Sequence, residues 1–189
     1  GLDPVRDIQV LTPMHRGPAG TQMLNERLQA TLNPAGPSLE SRGQTLRVGD
    51  KVMQTKNDYE RDVYNGDLGV VVAVDATERK LRVALDEREV ELEDADLDAL
   101  ALAYATSIHK SQGSEYPAVV LPLLSSHFVM LSRNLLYTAV TRAKQLCVLV
   151  ADPKALRLAL SEVRREERST RLAQRLREAL EIMESTAAR

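Results

Sequence analysis

The chain has 189 residues, 43% of them hydrophobic and 3% aromatic, with a formal net charge of −2. That allows one or two small domains with a true core and excludes a global basic field, so any nucleic-acid site must be local. The one cysteine, Cys147 in the run LCVLV, excludes an intrachain disulfide and a cysteine-based zinc site and fits a reducing, cytoplasmic setting.

The N-terminal GLDPVRD has neither the basic nor the apolar region of a signal peptide, and no stretch of ~18 apolar residues follows, so no membrane partner is expected. Without an initiator Met and running almost at once into IQVLTP, the sequence reads as a piece of a longer chain. IQVLTPM (8 to 14) is a short buried strand ended by Pro13, and GPAG (17 to 20) a turn. Thr21 is placed to cap a helix whose inward face carries Met23, Leu24, Leu28 and Leu32, stopped by NPAGP.

From about Gly43 the texture changes to short alternating runs: LRVGDKVMQT, DVYNGDLGVVVAVD, LRVAL and REVELED. Asn65-Gly66 is a strong hairpin-turn signal. Four or five short strands in some fifty residues predict a small antiparallel barrel. Farther on, YPAVVLPLL (116 to 124) and QLCVLVAD (145 to 152) are continuous apolar runs, as in strands covered on both faces of a parallel sheet. Between them SRNLLYTAVTRAK places Leu135, Leu136, Ala139, Val140 and Ala143 on one helical face. Strand, helix, strand is a βαβ unit. The predicted fold is α/β: a parallel-sheet domain (1–42 and 98–154) interrupted by a β-barrel (43–97), with a helical tail (155–189). In that tail Leu156, Leu160 and Val163 form one apolar row and Leu172, Leu176, Leu180 and Met183 another, while its arginines, interleaved with glutamates, read as a solvated face.

Two stretches carry chemistry. YATSIHKSQGSE joins two strands of the α/β domain, where ligands bind. Gly113 lets backbone approach a phosphate; Ser107, Ser111 and Ser114 offer hydroxyls, His109 an imidazole and Lys110 a charge. Glu115, acceptor-only when ionised, suits a sugar hydroxyl better. In YTAVTRAK, Arg142 lies near the end of a packed helix, a rigid mount suited to an arginine that stabilises charge on a transferring phosphoryl group.

YATSIHKSQGSEYPAVV resembles motif V, and RNLLYTAVTRAK motif VI, of superfamily-1 helicases, in particular the RecD-like (superfamily 1B) DNA helicases. QVLTPMHRGPAGTQMLN resembles their motif IV region, and RVGDKVMQTKNDYERDVYNGDLGVV the SH3-like insertion (2B) of their second, RecA-like motor domain (2A). The resemblance implies an ATP-dependent enzyme moving 5′ to 3′ on single-stranded DNA. In it Arg142 contacts the γ-phosphate, Arg16 is a second phosphate-contacting arginine, and Gly113, Gln112 and Glu115 meet or hold the nucleotide loop. Thr106, Ser107, His109 and Lys110 are implied to touch DNA phosphates. Lys51, Lys56, Arg61 and Tyr64 are candidates for a strand path over the barrel, with Tyr59 or Tyr64 stacking a base.

No GxxxxGK[ST] P-loop occurs in the sequence; Lys110-Ser111 follows His109 where a Gly is required. RVALDE (82 to 87) imitates a Walker B strand ending in Asp86-Glu87 but continues directly into the alternation of EVELED, and reads as barrel strand and turn. No metal ligands are assigned within this chain. The chain is therefore expected to act with an N-terminal P-loop motor domain that supplies the remaining ATP and Mg²⁺ contacts, and to be inactive alone. The alternatives are a non-catalytic module, derived from such a motor, that binds single-stranded DNA or protein, and an RNA helicase of related design.

Overall fold

The computed structural model describes residues 1–41, 43–85, 88–162 and 175–179. Strands β1 (Ile8–Thr12), β9 (Ala105–Ser107), β10 (Tyr116–Leu123) and β11 (Ala143–Ala151) form an all-parallel sheet in the order β11-β10-β1-β9. Helices α3 (Arg133–Val140) and α4 (Pro153–Ser161) cover one face, packing Leu135, Ala139, Ala155 and Ala159 against Leu11, Val119, Leu121 and Leu123. Ser132 caps α3 by accepting from the Leu135 amide at 3.3 Å, and Asp152 caps α4 by accepting from that of Lys154 at 2.8 Å.

On the opposite face β11 is open among the described residues. Leu146, Val148 and Val150 are 48%, 39% and 57% exposed, so the expectation of a strand covered on both faces holds for β10 and fails for β11. The apolar run alone does not reveal that β11 is an edge strand.

Helix α1 (Thr21–Leu32) also departs from expectation. Gly20, not Thr21, is its N-cap residue, and its buried residues are Thr21, Asn25 and Gln29, while Met23 and Leu32 face solvent. The helix docks through hydrogen bonds. Asn25 clasps the Ala105 backbone, donating from Nδ2 to the carbonyl at 2.9 Å and accepting from the amide at 2.8 Å. Gln29 donates to the Thr45 carbonyl at 2.7 Å and to Asp50 at 2.5 Å. The α4 row is met only in part: Ala155 and Ala159 are buried, Leu156 packs partly buried against the same core, Leu160 is 49% exposed, and Val163 lies outside the described residues. Of the second tail row only Leu176 belongs to the described residues, and it is exposed.

The insertion contains β4 (Lys51–Gln54), β5 (Leu68–Asp75), β6 (Lys80–Leu85), β7 (Arg88–Leu92), helix α2 (Asp94–Leu97) and β8 (Leu100–Leu102). Its strands form an antiparallel sheet in the order β7-β6-β5-β4-β8, beside a hairpin of β2 (Ser38–Ser41) and β3 (Gln44–Arg47) that adds Leu39 and Leu46 to the same core. No ladder closes β7 onto β8 among the described residues, so the pairing is that of an open sheet with a hairpin rather than a closed barrel. The Asn65-Gly66 turn exists but lies inside a long β4–β5 connection: the Asp67 amide donates to the Tyr64 carbonyl at 3.0 Å, and of the two central residues Gly66, not Asn65, takes a positive φ, 106°. That is a type II pattern, not the two-residue hairpin turn expected. Strand β6 pairs antiparallel with both β5 and β7, in keeping with the strand reading of RVAL; Asp86 and Glu87 lie outside the described residues.

Candidate nucleotide and nucleic-acid interface

The motif V stretch is a crossover. It leaves the C-terminal end of β9, passes β1 on the α3 side with Ile108 in the core, and enters the N-terminal end of β10. It is wound as turns: the Ser111 amide donates to the Ser107 carbonyl at 3.2 Å, and that of Ser114 to the Ser111 carbonyl at 3.1 Å. Ser111 is fully buried, its hydroxyl donating to the Ile108 carbonyl at 2.8 Å, so it braces the loop. Gly113 ends the winding at φ 88°, a conformation that favours glycine.

Arg142 follows α3 and stands beside that end of the loop. Its Nη1 donates to the Ser114 carbonyl at 3.1 Å, Nε to the Thr138 carbonyl at 3.1 Å and Nη2 to the Thr141 hydroxyl at 3.3 Å. Its backbone carbonyl accepts from the Tyr116 amide at 2.8 Å. A guanidinium has five N–H donors, so these contacts fix the plane and leave two N–H groups without a partner among the described residues. Arg142 is only partly buried. Glu115 is exposed and paired with Lys144 at 3.6 Å. Gln112 is exposed next to Gly113.

At the other end, His109 and Lys110 are exposed and Ser107 is half-buried, its hydroxyl oxygen accepting from the Lys110 amide at 3.3 Å. Thr106 is not available there: it is 5% exposed, and its hydroxyl accepts from buried Gln9 at 3.4 Å. It holds the strand rather than offering a hydroxyl to a ligand.

The same register separates Arg16 from Arg142. Thr12 pairs with Ser107, whereas Ile8 pairs with Ala118 and Arg142 lies level with Tyr116. At ~3.3 Å per residue the level of Thr12, after which the Arg16 loop departs, lies roughly 20 Å along the strands from that of Arg142. Arg16 is exposed in the loop after β1, and that loop leaves the sheet at the same end as the His109–Lys110 turn, since the Ile108 amide donates to the Thr12 carbonyl at 3.1 Å. Arg16 and Arg142 do not share a pocket in this chain, because they sit at opposite ends of the sheet.

Of the candidate path over the insertion, Lys56, Tyr59 and Tyr64 face solvent. Tyr59 and Tyr64 meet edge to face, centroids 6.2 Å apart, and Tyr64 donates to Asp62 at 2.6 Å, which pushes its phenol pKa up. Arg61 is engaged by Asp58 at 2.6 Å and Asp96 at 2.8 Å. Lys51 is 4% exposed and leaves the path altogether.

Sequence reading misses the junction made by Asp50 and Lys51. Fully buried Asp50 accepts from Gln29 at 2.5 Å, Asn33 at 2.7 Å, the Arg47 amide at 2.7 Å and Tyr104 at 2.9 Å, and the Tyr104 phenol is raised by burial and by that carboxylate. Lys51 points the other way, donating to the Ile8 carbonyl at 3.1 Å, with its amine 5.9 Å from the Tyr116 ring centroid. Burial brings its pKa down to about 8, against the opposing pull of Asp7 and Asp3. It floors a cleft of about 1200 Å³ between the insertion and the N-terminal ends of β1 and β10. An alternating GDKVMQ signals a strand, not that adjacent charges are buried in opposite directions.

The parallel sheet with its crossover loop and inserted antiparallel module is the arrangement found in helicase motor domains. Residues 24–85 match the ATP-dependent RecD-like DNA helicase SH3 domain, and residues 102–150 the UvrD-like helicase C-terminal domain. The ATP-dependent RecD2 DNA helicase of Deinococcus radiodurans is 42% identical over 170 residues, covering 90% of this chain and 23% of that protein. The RecBCD enzyme subunit RecD of Mycolicibacterium smegmatis is 36% identical over 175 residues, covering 90% and 29%. The Pif1 helicase from Bacteroides in complex with ADP-AlF3 and ssDNA superposes with a TM-score of 0.57 at 18% identity, covering 91% of this chain and 45% of that one. Pif1 helicase from Candida albicans gives 0.52 at 21%, covering 80% and 49%; these two likenesses show the fold. The chain belongs to the RecD-like DNA helicase family, and it spans about a quarter of the length of the curated relatives it matches.

No helix among the described residues is long and apolar enough to cross a membrane.

Proposed function

We propose that this chain is the C-terminal part of the motor of an ATP-dependent 5′–3′ DNA helicase. It supplies one wall of a nucleotide site whose P-loop and Mg²⁺ ligands lie on an N-terminal motor domain, and it does not hydrolyse ATP alone. The observation that carries this reading is Arg142: a guanidinium locked to Ser114, Thr138 and Thr141, next to the Gly113 turn, with two donors unspent. That geometry suits an arginine that stabilises charge on a transferring γ-phosphate across a cleft. ATP supplies the transferable phosphoryl group; Gly113 offers close backbone approach, Gln112 and Glu115 flank it, and Arg142 meets the terminal phosphate.

Single-stranded DNA meets the other end of the same crossover. Exposed Arg16, His109 and Lys110, with Ser107, form a local cationic patch in a chain of net charge −2. Arg16 is assigned here to DNA phosphate instead of nucleotide phosphate, because of its place at the far strand ends. Tyr64, with Tyr59, offers a stacking surface on the insertion. Because one braced loop carries nucleotide contacts at Gly113 and DNA contacts at His109, closing the cleft on ATP shifts the hold on the strand.

The test uses this chain joined to its P-loop domain. Arg142→Ala abolishes ATP turnover and spares DNA binding, whereas His109→Ala weakens DNA affinity and uncouples turnover from movement. Identical behaviour of the two variants would contradict the division of roles along the loop.

A further inference from the structure

We infer that Lys51 is a positioning residue: it couples the inserted β module to the Arg142 turn through Tyr116. The inference rests on the reading of Arg142 given above, but its first test does not involve ATP.

Lys51 and Asp50 are neighbours at the start of β4, and alternation along the strand sends their side chains to different parts of the α/β domain. Asp50 collects four donors: Gln29 of α1, Asn33 just after it, the Arg47 amide of β3 and Tyr104 just before β9. Lys51 reaches the Ile8 carbonyl and the Tyr116 ring. The two together clamp the module at two separated points, so it moves with the parallel sheet as a lever.

Tyr116 is where that lever meets the proposed phosphate site. Its amide is bonded to the Arg142 carbonyl, and it follows Ser114 and Glu115 directly in sequence. Burial raises the Tyr116 phenol, and Ser114 and the Arg142 charge draw it back. A displacement of β4 therefore reaches the Ser114 carbonyl that Arg142 grips through one aromatic ring. No carboxylate lies within ion-pair distance of Lys51 among the described residues, so ring and carbonyl are its specific partners. Asp3 and Asp7 act on it from the N-terminal turn, and Arg6, Asp67, Arg88 and Glu115 line the same cleft.

The experiment follows the Arg142 Cδ and Tyr116 ring resonances of the 189-residue chain by carbon-13 NMR. Lys51→Met is expected to shift both while distant methyls of the parallel sheet stay in place, and Lys51→Arg is expected to restore the Arg142 position at least in part. In the wild type, the two signals should move together through an apparent midpoint near pH 8, a motion absent from Lys51→Met. Unchanged Arg142 signals in Lys51→Met overturn the inference, as does a wild type with no such transition, which settles the matter even if the variant fails to fold. In the protein that includes the P-loop domain, Lys51→Met should lower kcat for ATP several-fold with KM unchanged. Loss of NMR coupling condemns the Lys51 role, while intact coupling without any effect of Arg142→Ala on turnover condemns the nucleotide reading instead.

Discussion

The guanidinium of Arg142 donates to the backbone carbonyl of Ser114 at 3.1 Å, tying the end of helix α3 to the crossover that begins 35 residues earlier at Ser107. The bond sets where the arginine beside the Gly113 turn can reach. Two further bonds, to Thr138 and Thr141, require the planar fork and not merely a positive charge. Arg142→Lys keeps the charge and loses the fork. Joined to the proposed P-loop domain, that variant should lower ATP turnover by at least about 100-fold, with thermal stability of the chain changed by less than about 1 kcal/mol. A lysine variant of near wild-type turnover would show that charge alone suffices.

Lys51 makes the fold less stable than it need be. Its ordinary value of 10.5 against about 8 in the folded chain corresponds to on the order of 3 kcal/mol. Below pH 8 both states hold the proton and the cost is constant. Between about 8 and 10.5 the unfolded chain binds the proton that the folded chain has released, so this group's contribution to stability rises with pH. Lys51→Met should therefore be as stable as wild type or more so at pH 7, and its advantage should shrink toward pH 10 in urea denaturation. A loss above about 2 kcal/mol at pH 7 would mean the carbonyl and ring contacts outweigh desolvation.

Asn25 should behave as a core residue despite being polar. Asn25→Leu, which an amphipathic-helix argument favours, removes both bonds to the Ala105 backbone and leaves a buried amide and carbonyl unpaired. Destabilisation of about 2–4 kcal/mol is expected from the two orphaned groups. A neutral or stabilised variant in chemical denaturation would show that apolar burial, not the backbone clasp, docks α1.

The cationic patch predicts a salt signature. Arg16→Ala and Lys110→Ala should each reduce the slope of log affinity for single-stranded DNA against log salt by about 0.7, the value of one phosphate contact. Arg142→Ala should leave the slope unchanged. An Arg16 variant with an unaltered slope and impaired turnover would return Arg16 to the nucleotide.

The fold was legible where burial and periodicity coincide: the strand at 116–124, the alternating insertion and the glycine-ended crossover follow from apolar patterning and turn chemistry. It was illegible where polar groups do the packing. Asn25, Gln29 and Asp50 look like surface residues in a sequence, because nothing local says that donors from α1, Arg47 and Tyr104 will converge on one carboxylate. Edge position is equally silent, which is why the apolar run of β11 overstated its burial. At the proposed site, the proximity of Arg142 to the glycine-ended loop follows from strand pairing, and the departure of the Arg16 loop from the other end of the sheet depends on strand register, which no single stretch encodes.

Turnover of ATP by the purified 189-residue chain, wild type and Arg142→Ala, is the most direct measurement of the claim that half of the catalytic cradle resides elsewhere. The account predicts no hydrolysis above background from either, and hydrolysis dependent on Arg142 once the P-loop domain is joined. Appreciable hydrolysis by the isolated chain, lost on replacing Arg142, would contradict it.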